Sequence, residues 1–123
     1  MIEEVEELFK RQLRAWPQFA KGVDGLARAT TRSLRIDWFD VFIRHIPHRM
    51  VSTTASVDRE SVAKRACFLC AQNLPAEEES LRFDENFTIY CNPFPILDRH
   101  LTIAHREHGS QRIANQFGNM LDL

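Results

Sequence analysis

Residues that cross-link or interrupt a chain are scarce in these 123 residues, which include three cysteines, four glycines and five prolines. An odd and small number of cysteines does not suit a disulfide framework and favours thiols that are kept reduced. Few glycines and prolines, together with 44% hydrophobic residues, favour a packed core over a disordered chain. The length suits one domain.

An excess of one charge is also lacking, because 16 basic residues face 17 acidic ones and leave a formal charge of -1. This balance argues against a protein that mainly neutralises a nucleic-acid backbone. No run approaches the roughly 20 apolar residues of a membrane span, and Met1–Glu7 lacks the basic and apolar segments of a secretory signal. The sequence therefore predicts a cytoplasmic protein with neither nucleic acid nor a membrane as partner.

The amino-terminal part predicts helix first and strands afterwards. Apolar residues recur at three- and four-residue steps over residues 2–16, which predicts an amphipathic helix that stops at Pro17. Residues 18–33 give an ambiguous pattern. The predictions that follow are one strand with a bulge over 34–46, a further strand over 50–54, and a loop or short helix over 56–66.

The later part predicts two neighbouring antiparallel strands, at residues 87–91 and 100–104, joined by a proline-rich loop. A helical face follows, formed by Ile113, Phe117, Met120 and Leu121. This helix has no closing signal before Leu123, so the chain is expected to continue and its sheet to be unfinished. An unpaired sheet edge of this kind predicts self-association.

Cys67 and Cys70 form the first group of chemical interest, since two thiolates in a Cys-x-x-Cys spacing can reach one Zn²⁺ ion. Taken alone, the pair is half a site. Further donors downstream are Cys91, His100, His105 and His108. The alternatives are two small buried cysteines beside Phe68 and Leu69, or a redox-active dithiol.

The second group is the loop Asn92–Asp98 with the histidines that follow it. Its prolines stiffen the loop, so its amides and side chains can be held ready for a ligand. For any single histidine, ordinary placement at the surface or at a strand end is the simpler interpretation, and His45 and His48 are assigned to that class.

These segments together resemble the histidine-triad superfamily, in the branch that contains galactose-1-phosphate uridylyltransferase and GDP-L-galactose phosphorylase. The resemblance rests on Cys67–Cys70, on residues 81–90 and on Asn92–His108, and it reaches residue 121. It implies an α+β fold with two parts. Residues 1–66 would be an amino-terminal helix and strand extension, and residues 67–123 the first part of a histidine-triad-like domain with a partial antiparallel sheet.

The resemblance also implies a set of site residues. Cys67, Cys70 and His108 would be three ligands of a structural zinc ion, with a histidine beyond Leu123 as the fourth. Asn92 would bind the ribose hydroxyls, because an amide both donates and accepts hydrogen bonds. The remaining assignments are Phe94 and Pro95 in the wall of the base pocket and Arg49 and Arg65 as phosphate contacts.

The chain departs from the superfamily pattern at three points. Arg99 stands where a glycine precedes the histidine of the strand, and His105 stands where alanine or proline is usual. No His-x-His pair occurs, although relatives use a histidine of that motif to attack the α-phosphorus of a nucleotide. No catalytic residue is therefore assigned, and the chain alone is expected to be inactive.

Three hypotheses follow. The first is the amino-terminal part of a nucleotidyltransferase or nucleotide-sugar phosphorylase, whose ligand is a nucleotide or nucleotide sugar. The second is a self-sufficient, zinc-stabilised interaction module that uses Cys67, Cys70 and two of His100, His105 and His108, and engages a protein partner through Trp16 and Trp38. The third is an inert remnant of a truncated gene.

Overall fold

The computed structural model of the chain describes residues 1–109 and 117–121. It has an α+β fold with helices and two small antiparallel sheets, as predicted. The helices are α1 (Ile2–Ala15), α2 (Pro17–Ala27), α3 (Met50–Thr53), α4 (Arg59–Lys64) and α5 (Phe117–Leu121). The strands are β1 (Thr30–Ile36), β2 (Phe39–His45), β3 (Ser80–Arg82), β4 (Phe87–Cys91) and β5 (Leu101–His105).

Helix α1 confirms the amphipathic prediction and ends at the residue before Trp16. Trp16 caps it in an extended conformation, and Pro17 then starts α2 at a position where a proline needs no amide hydrogen. The ambiguous segment is thus largely helical. Its two glycines are tolerated because they lie on the side of α2 that packs against other parts of the chain.

Two strand predictions were wrong. The change of phase after Ile36 is a turn at Asp37 and Trp38 that separates β1 from β2, rather than a bulge in one strand. Asp37 has a φ of 49°, which a tight hairpin turn of the primed type requires at its first central residue. Residues 50–53 form helix α3 instead of a strand. Of the two alternatives for 56–66, a loop or a short helix, the short helix is present as α4.

The three-stranded sheet has the order β3-β4-β5, with both neighbouring pairs antiparallel. This confirms the antiparallel pairing predicted for residues 87–91 and 100–104, with Ile89 opposite Ile103 and Cys91 opposite Leu101. Strand β5 is at the edge of this sheet within the described residues, so an unpaired edge of the kind expected is present at β5.

The core lies between this sheet and the helices α1 and α2. Buried Leu8, Phe9, Trp16 and Phe19 cluster with Cys91, and Leu81 and Leu101 pack against the cluster. The core therefore contains side chains from both sides of residue 66. It also contains Trp16, which corrects the expectation that this side chain could engage a protein partner.

Candidate functional site

Cys67, Cys70 and His108 lie together, and they are the one group of potential metal ligands found among the described residues. Their ligand atoms are all within 4.8 Å of one another, and Cys70 Sγ is 3.2 Å from His108 Nδ1. Tetrahedral zinc with sulfur and nitrogen ligands separates such atoms by roughly 3.5–3.8 Å. The group can therefore hold a metal ion after small movements of its side chains.

Local hydrogen bonds shape the loop that carries both thiols. The amide of Cys70 donates to the carbonyl of Cys67 at 3.3 Å, which closes a tight turn. The side chain of Asn73 donates to the same carbonyl at 2.8 Å, and its backbone amide donates to Cys70 at 2.8 Å. Asn73 therefore stabilises the turn, a role that the Cys-x-x-Cys spacing does not reveal.

The two thiols differ in acidity. A hydrogen bond from the backbone of Leu69 is the main cause that lowers the pKa of Cys67. The pKa of Cys70 is raised, first because its thiol hydrogen-bonds to Cys67 and then by burial. Cys67 therefore loses its proton more readily than Cys70, and a metal cation held by the two sulfur atoms would favour the thiolate form of both.

The other cysteine and the other two downstream histidines lie apart from this group. Cys91 is buried in the core, where desolvation raises its pKa to about 12. His100 Nδ1 accepts a hydrogen bond from the amide of Ile96 at 3.2 Å, and His105 Nδ1 accepts one from Glu107 at 3.1 Å. The module hypothesis, which needs two of the three histidines on one ion, therefore has only one of them in place.

The predicted nucleotide loop is tightly bound to the rest of the chain. Asn92 accepts a hydrogen bond from the amide of Phe94 at 2.9 Å, and its amide group donates to the hydroxyl of Thr102 at 3.3 Å. Asn92 is only half-buried, so one amide hydrogen and one lone pair remain for a ligand. These hydrogen bonds hold the loop in place without a ligand.

Helix α2 packs against the Asn92–Asp98 loop. A Cβ atom placed on Gly22 would lie 2.1 Å from the carbonyl oxygen of Pro93 and 3.0 Å from Pro95, so only glycine allows this approach. Pro95 is buried there. It acts as a support of the loop in this structure, and its assignment to a base pocket stays a prediction.

Phe94 faces His48, which the sequence analysis assigned to ordinary surface or strand-end placement. The two rings are stacked at 5.9 Å between centroids, with an angle of 27° between planes. Gly25 of α2 packs directly against His48, where an added Cβ would lie 2.6 Å from the Cβ of the histidine. His48 therefore supports the ring of Phe94. No spacing in the sequence links residues 48 and 94, so only the structure reveals this contact.

Of the two arginines predicted to contact phosphate, Arg49 lies beside His100 and Arg65 lies elsewhere. Burial lowers the pKa of His100, and the charge of Arg49 lowers it further, so the imidazole is neutral at pH 7. The Nε atom of Arg49 and the Nε2 atom of His48 are buried without a hydrogen-bond partner in the part of the chain that is described. Arg65 is exposed and donates to the carbonyl of Ser56 at 3.4 Å.

The family model described as Domain of unknown function (DUF4922) matches residues 8–123. The chain belongs to this family. No curated protein and no solved structure matches it. The matched stretch of the DUF4922 chain starts within α1 and includes the candidate metal ligands and the Asn92 loop.

Helices that could cross a membrane are absent from the described residues of the DUF4922 chain. Its longest helix, α1, has 14 residues and an amphipathic pattern. The described residues also form two open clefts. One lies between β2 and the loop at Ile96 and Leu97, and a second runs over Tyr90 and Thr88 towards Leu69 beside the metal ligands.

Proposed function

We propose that the chain is the zinc- and ribose-binding part of a nucleotidyltransferase-like or nucleotide-sugar phosphorylase-like protein. The observation that carries this proposal is the approach of Cys70 Sγ to His108 Nδ1, at 3.2 Å across 38 residues of sequence. The resemblance to the histidine-triad superfamily assigns these two residues and Cys67 to one ion. Their proximity supports that assignment.

The donor set favours zinc over other common ions. Two thiolates and one imidazole suit zinc, whereas magnesium and calcium prefer oxygen ligands. The resemblance assigns the fourth position to a histidine that is not one of the five in this chain. The ion would hold the Cys67–Cys70 turn to the end of β5 and thereby fix the cleft over Tyr90.

The nucleotide part of the proposal concerns Asn92, Phe94 and Arg49. The free hydrogen-bonding capacity of Asn92 suits a ribose hydroxyl, and the face of Phe94 is available to a base only on the side away from His48. Arg49 lies beside His100, and its positive charge would attract a phosphate oxygen. Arg65 is exposed and is the weaker candidate.

A nucleophile is not part of the proposal, and the geometry of His100 supports this. Its Nδ1 accepts a hydrogen bond, so in the neutral ring the proton resides on Nε2, which then donates and offers no lone pair for attack on phosphorus. The chain alone is therefore expected to bind and not to react. Incubation with labelled UDP-glucose, GDP-sugars or dinucleoside polyphosphates should give no acid-labile label, and stoichiometric label on this chain would contradict the proposal.

The zinc assignment is tested by metal analysis of the purified chain. We expect Cys70→Ser and His108→Ala to lose zinc and to lose the thiolate absorption of the Co²⁺-substituted chain. Cys91→Ala is the matched control, because this thiol is buried away from the ligands and its removal should leave the zinc content unchanged. Equal zinc content in Cys70→Ser and the unaltered chain would refute the assignment.

The nucleotide site is tested by titration of the zinc-loaded chain with UMP and GMP. Asn92→Asp keeps the acceptor for the Phe94 amide and should bind within a few fold of the unaltered chain, whereas Asn92→Ala should bind at least tenfold more weakly. Arg49→Gln should weaken binding more than Arg65→Gln. Equal binding by all four variants, or no binding by the unaltered chain, would exclude this site.

A second function, a zinc-stabilised module for protein interaction, is favoured by one observation. Trp38 is 83% exposed at the tip of the β1-β2 hairpin. This hypothesis requires tight, stoichiometric zinc and cooperative unfolding of the chain by itself. Isothermal titration with zinc of the metal-free chain distinguishes it from the first proposal, which leaves one ligand position to a residue outside the chain and predicts weaker binding.

A further inference from the structure

The β1-β2 hairpin has one face that nothing else in the described chain covers. Residues that are paired across the ribbon share a face, so Leu34, Ile36, Phe39, Val41 and Ile43 lie on one side. The residues between them in the two strands, including Phe42 and Arg44, lie on the other. We call the first side the apolar hairpin face.

The opposite side of the hairpin contacts the body of the protein through Arg44, while Phe42 on this side is 70% exposed. Arg44 donates to the carbonyl of Ile96 at 2.8 Å, and Phe42 and Arg44 line the cleft in front of Ile96 and Leu97. The apolar hairpin face therefore looks away from the body. Leu34 is 49% exposed, Ile43 51% and Phe39 41%, although each is partly shielded by its neighbours on the same face.

Trp38 extends this face at the tip. Its ring contacts Phe39 edge-on, with 5.3 Å between centroids, which places the indole on the side of the apolar residues. A two-stranded hairpin is marginally stable in water by itself and needs a further layer. The exposed, continuous apolar surface is a place for that layer.

Charges at the two ends of the face indicate what covers it. Asp37 is at the tip, and Arg32 and His45 are at the opposite end of the same hairpin. Neither the carboxylate of Asp37 nor the guanidinium of Arg32 has a salt-bridge partner among residues 1–109 and 117–121. An occupant with a cation beside the tip and an anion beside the base would neutralise both ends.

A second copy of the same hairpin has this pattern when a two-fold axis relates the two. The two apolar faces then meet, the tip of one copy lies over the base of the other, and each Asp37 is near an Arg32 of the other copy. We propose that the chain forms a symmetric dimer through its apolar hairpin face. Such an interface is isologous, so every contact occurs twice.

The size of the face is that of a small interface. Its exposed side chains supply about 500 Å² per copy, or about 1,000 Å² for the pair, which is at the lower limit for specific interfaces. Interfaces of this size are typical of weak, reversible association. This proposal is independent of the zinc and nucleotide sites.

Sedimentation velocity of the full chain over about 1–500 µM tests the proposal. The expected result is a monomer–dimer equilibrium that Leu34→Glu weakens at least tenfold. Phe42→Glu is the matched control, since it puts the same charge on the opposite face of the same hairpin, and it should leave the dimer intact. A monomer at every concentration, or an equal effect of both variants, would overturn the proposal.

The two charged residues offer a test that leaves the apolar residues of the face unchanged. Asn favours the left-handed backbone of residue 37, so Asp37→Asn removes the charge and keeps the turn. Asp37→Asn and Arg32→Gln should each weaken the dimer severalfold, and the double variant should be no weaker than either single one. Additive effects of the two changes would contradict the hairpin dimer. So would association that is unaffected by either change, which is the result expected if the chains pair through the β5 edge.

Discussion

The guanidinium carbon of Arg99 lies 4.5 Å from the centroid of the Phe9 ring, and its Nε donates to the carboxylate of Glu6 at 2.8 Å. Arg99 has a φ of 53°, in the left-handed region that suits glycine. The resembled pattern has a glycine at this position. Arg99 therefore holds a backbone conformation that suits glycine, and its side chain contacts α1.

This relationship predicts an unusual order of stability. Arg99→Ala loses the contacts with α1 and keeps a Cβ in the left-handed region, whereas Arg99→Gly loses the same contacts and relieves the strain. We expect the glycine variant to exceed the alanine variant by about 1 kcal/mol in free energy of unfolding. Urea denaturation measures both, and an alanine variant at least as stable as the glycine variant would show that the backbone conformation is not retained.

Gly22 should tolerate no side chain. In Gly22→Ala the new methyl group would meet the carbonyl of Pro93, so α2 and the Asn92 loop must move apart. We expect a loss of about 1–3 kcal/mol, and weaker nucleotide binding if the proposed site is correct. Gly118→Ala is the control, since its Cβ would meet nothing within 4 Å, and it should be neutral or slightly stabilising.

Glu78 should make stability depend on pH. Burial raises its pKa from 4.5 to about 7. A carboxyl group with a higher pKa in the folded chain binds its proton more tightly there, so stability falls as the pH rises between these two values and then levels off. We therefore expect Glu78→Gln to stabilise the chain above pH 7 by about 1–2 kcal/mol, after allowance for solvent screening, and to give no gain at pH 4.

Thermal unfolding between pH 4 and pH 8 checks this expectation. The exposed neighbour provides the control, because Glu77→Gln removes the same charge from the same loop. A parallel gain in both variants would assign the effect to net charge and not to the burial of Glu78.

Gln12 should matter more than an ordinary glutamine. Its side chain is fully buried, donates to the carbonyl of Glu77 at 2.9 Å and accepts from the amide of Glu79 at 3.1 Å. Gln12→Leu removes both bonds and leaves two backbone groups without partners, which should cost about 2–4 kcal/mol. Gln18→Leu on exposed helix surface should cost less than about 0.5 kcal/mol, and equal losses in chemical denaturation would contradict this role of Gln12.

The α1 pattern shows where sequence information ends. The three- and four-residue steps predict a helix over 2–16 with Leu13 on its apolar side, and the helix is present. In the structure Leu13 is 37% exposed and Gln12 is fully buried. Periodicity predicts the helix and its approximate buried side. It does not predict that Gln12 is buried, because that depends on a carbonyl and an amide in the distant loop at Glu77 and Glu79.

By itself the sequence determined the elements whose signals are local: the helix that ends before Pro17, the strands around Ile89 and Ile103, and the α+β class. It also placed two thiols within reach of one ion through their spacing. The spacing alone left His100, His105 and His108 open, and only the resemblance singled out His108. The tertiary structure brings His108, and neither of the other two, to the thiols, because that proximity depends on where β5 ends relative to the Cys67–Cys70 turn. The stacking of His48 on Phe94 was decided there too, since it arises when α2 presses two glycines against segments far apart in sequence.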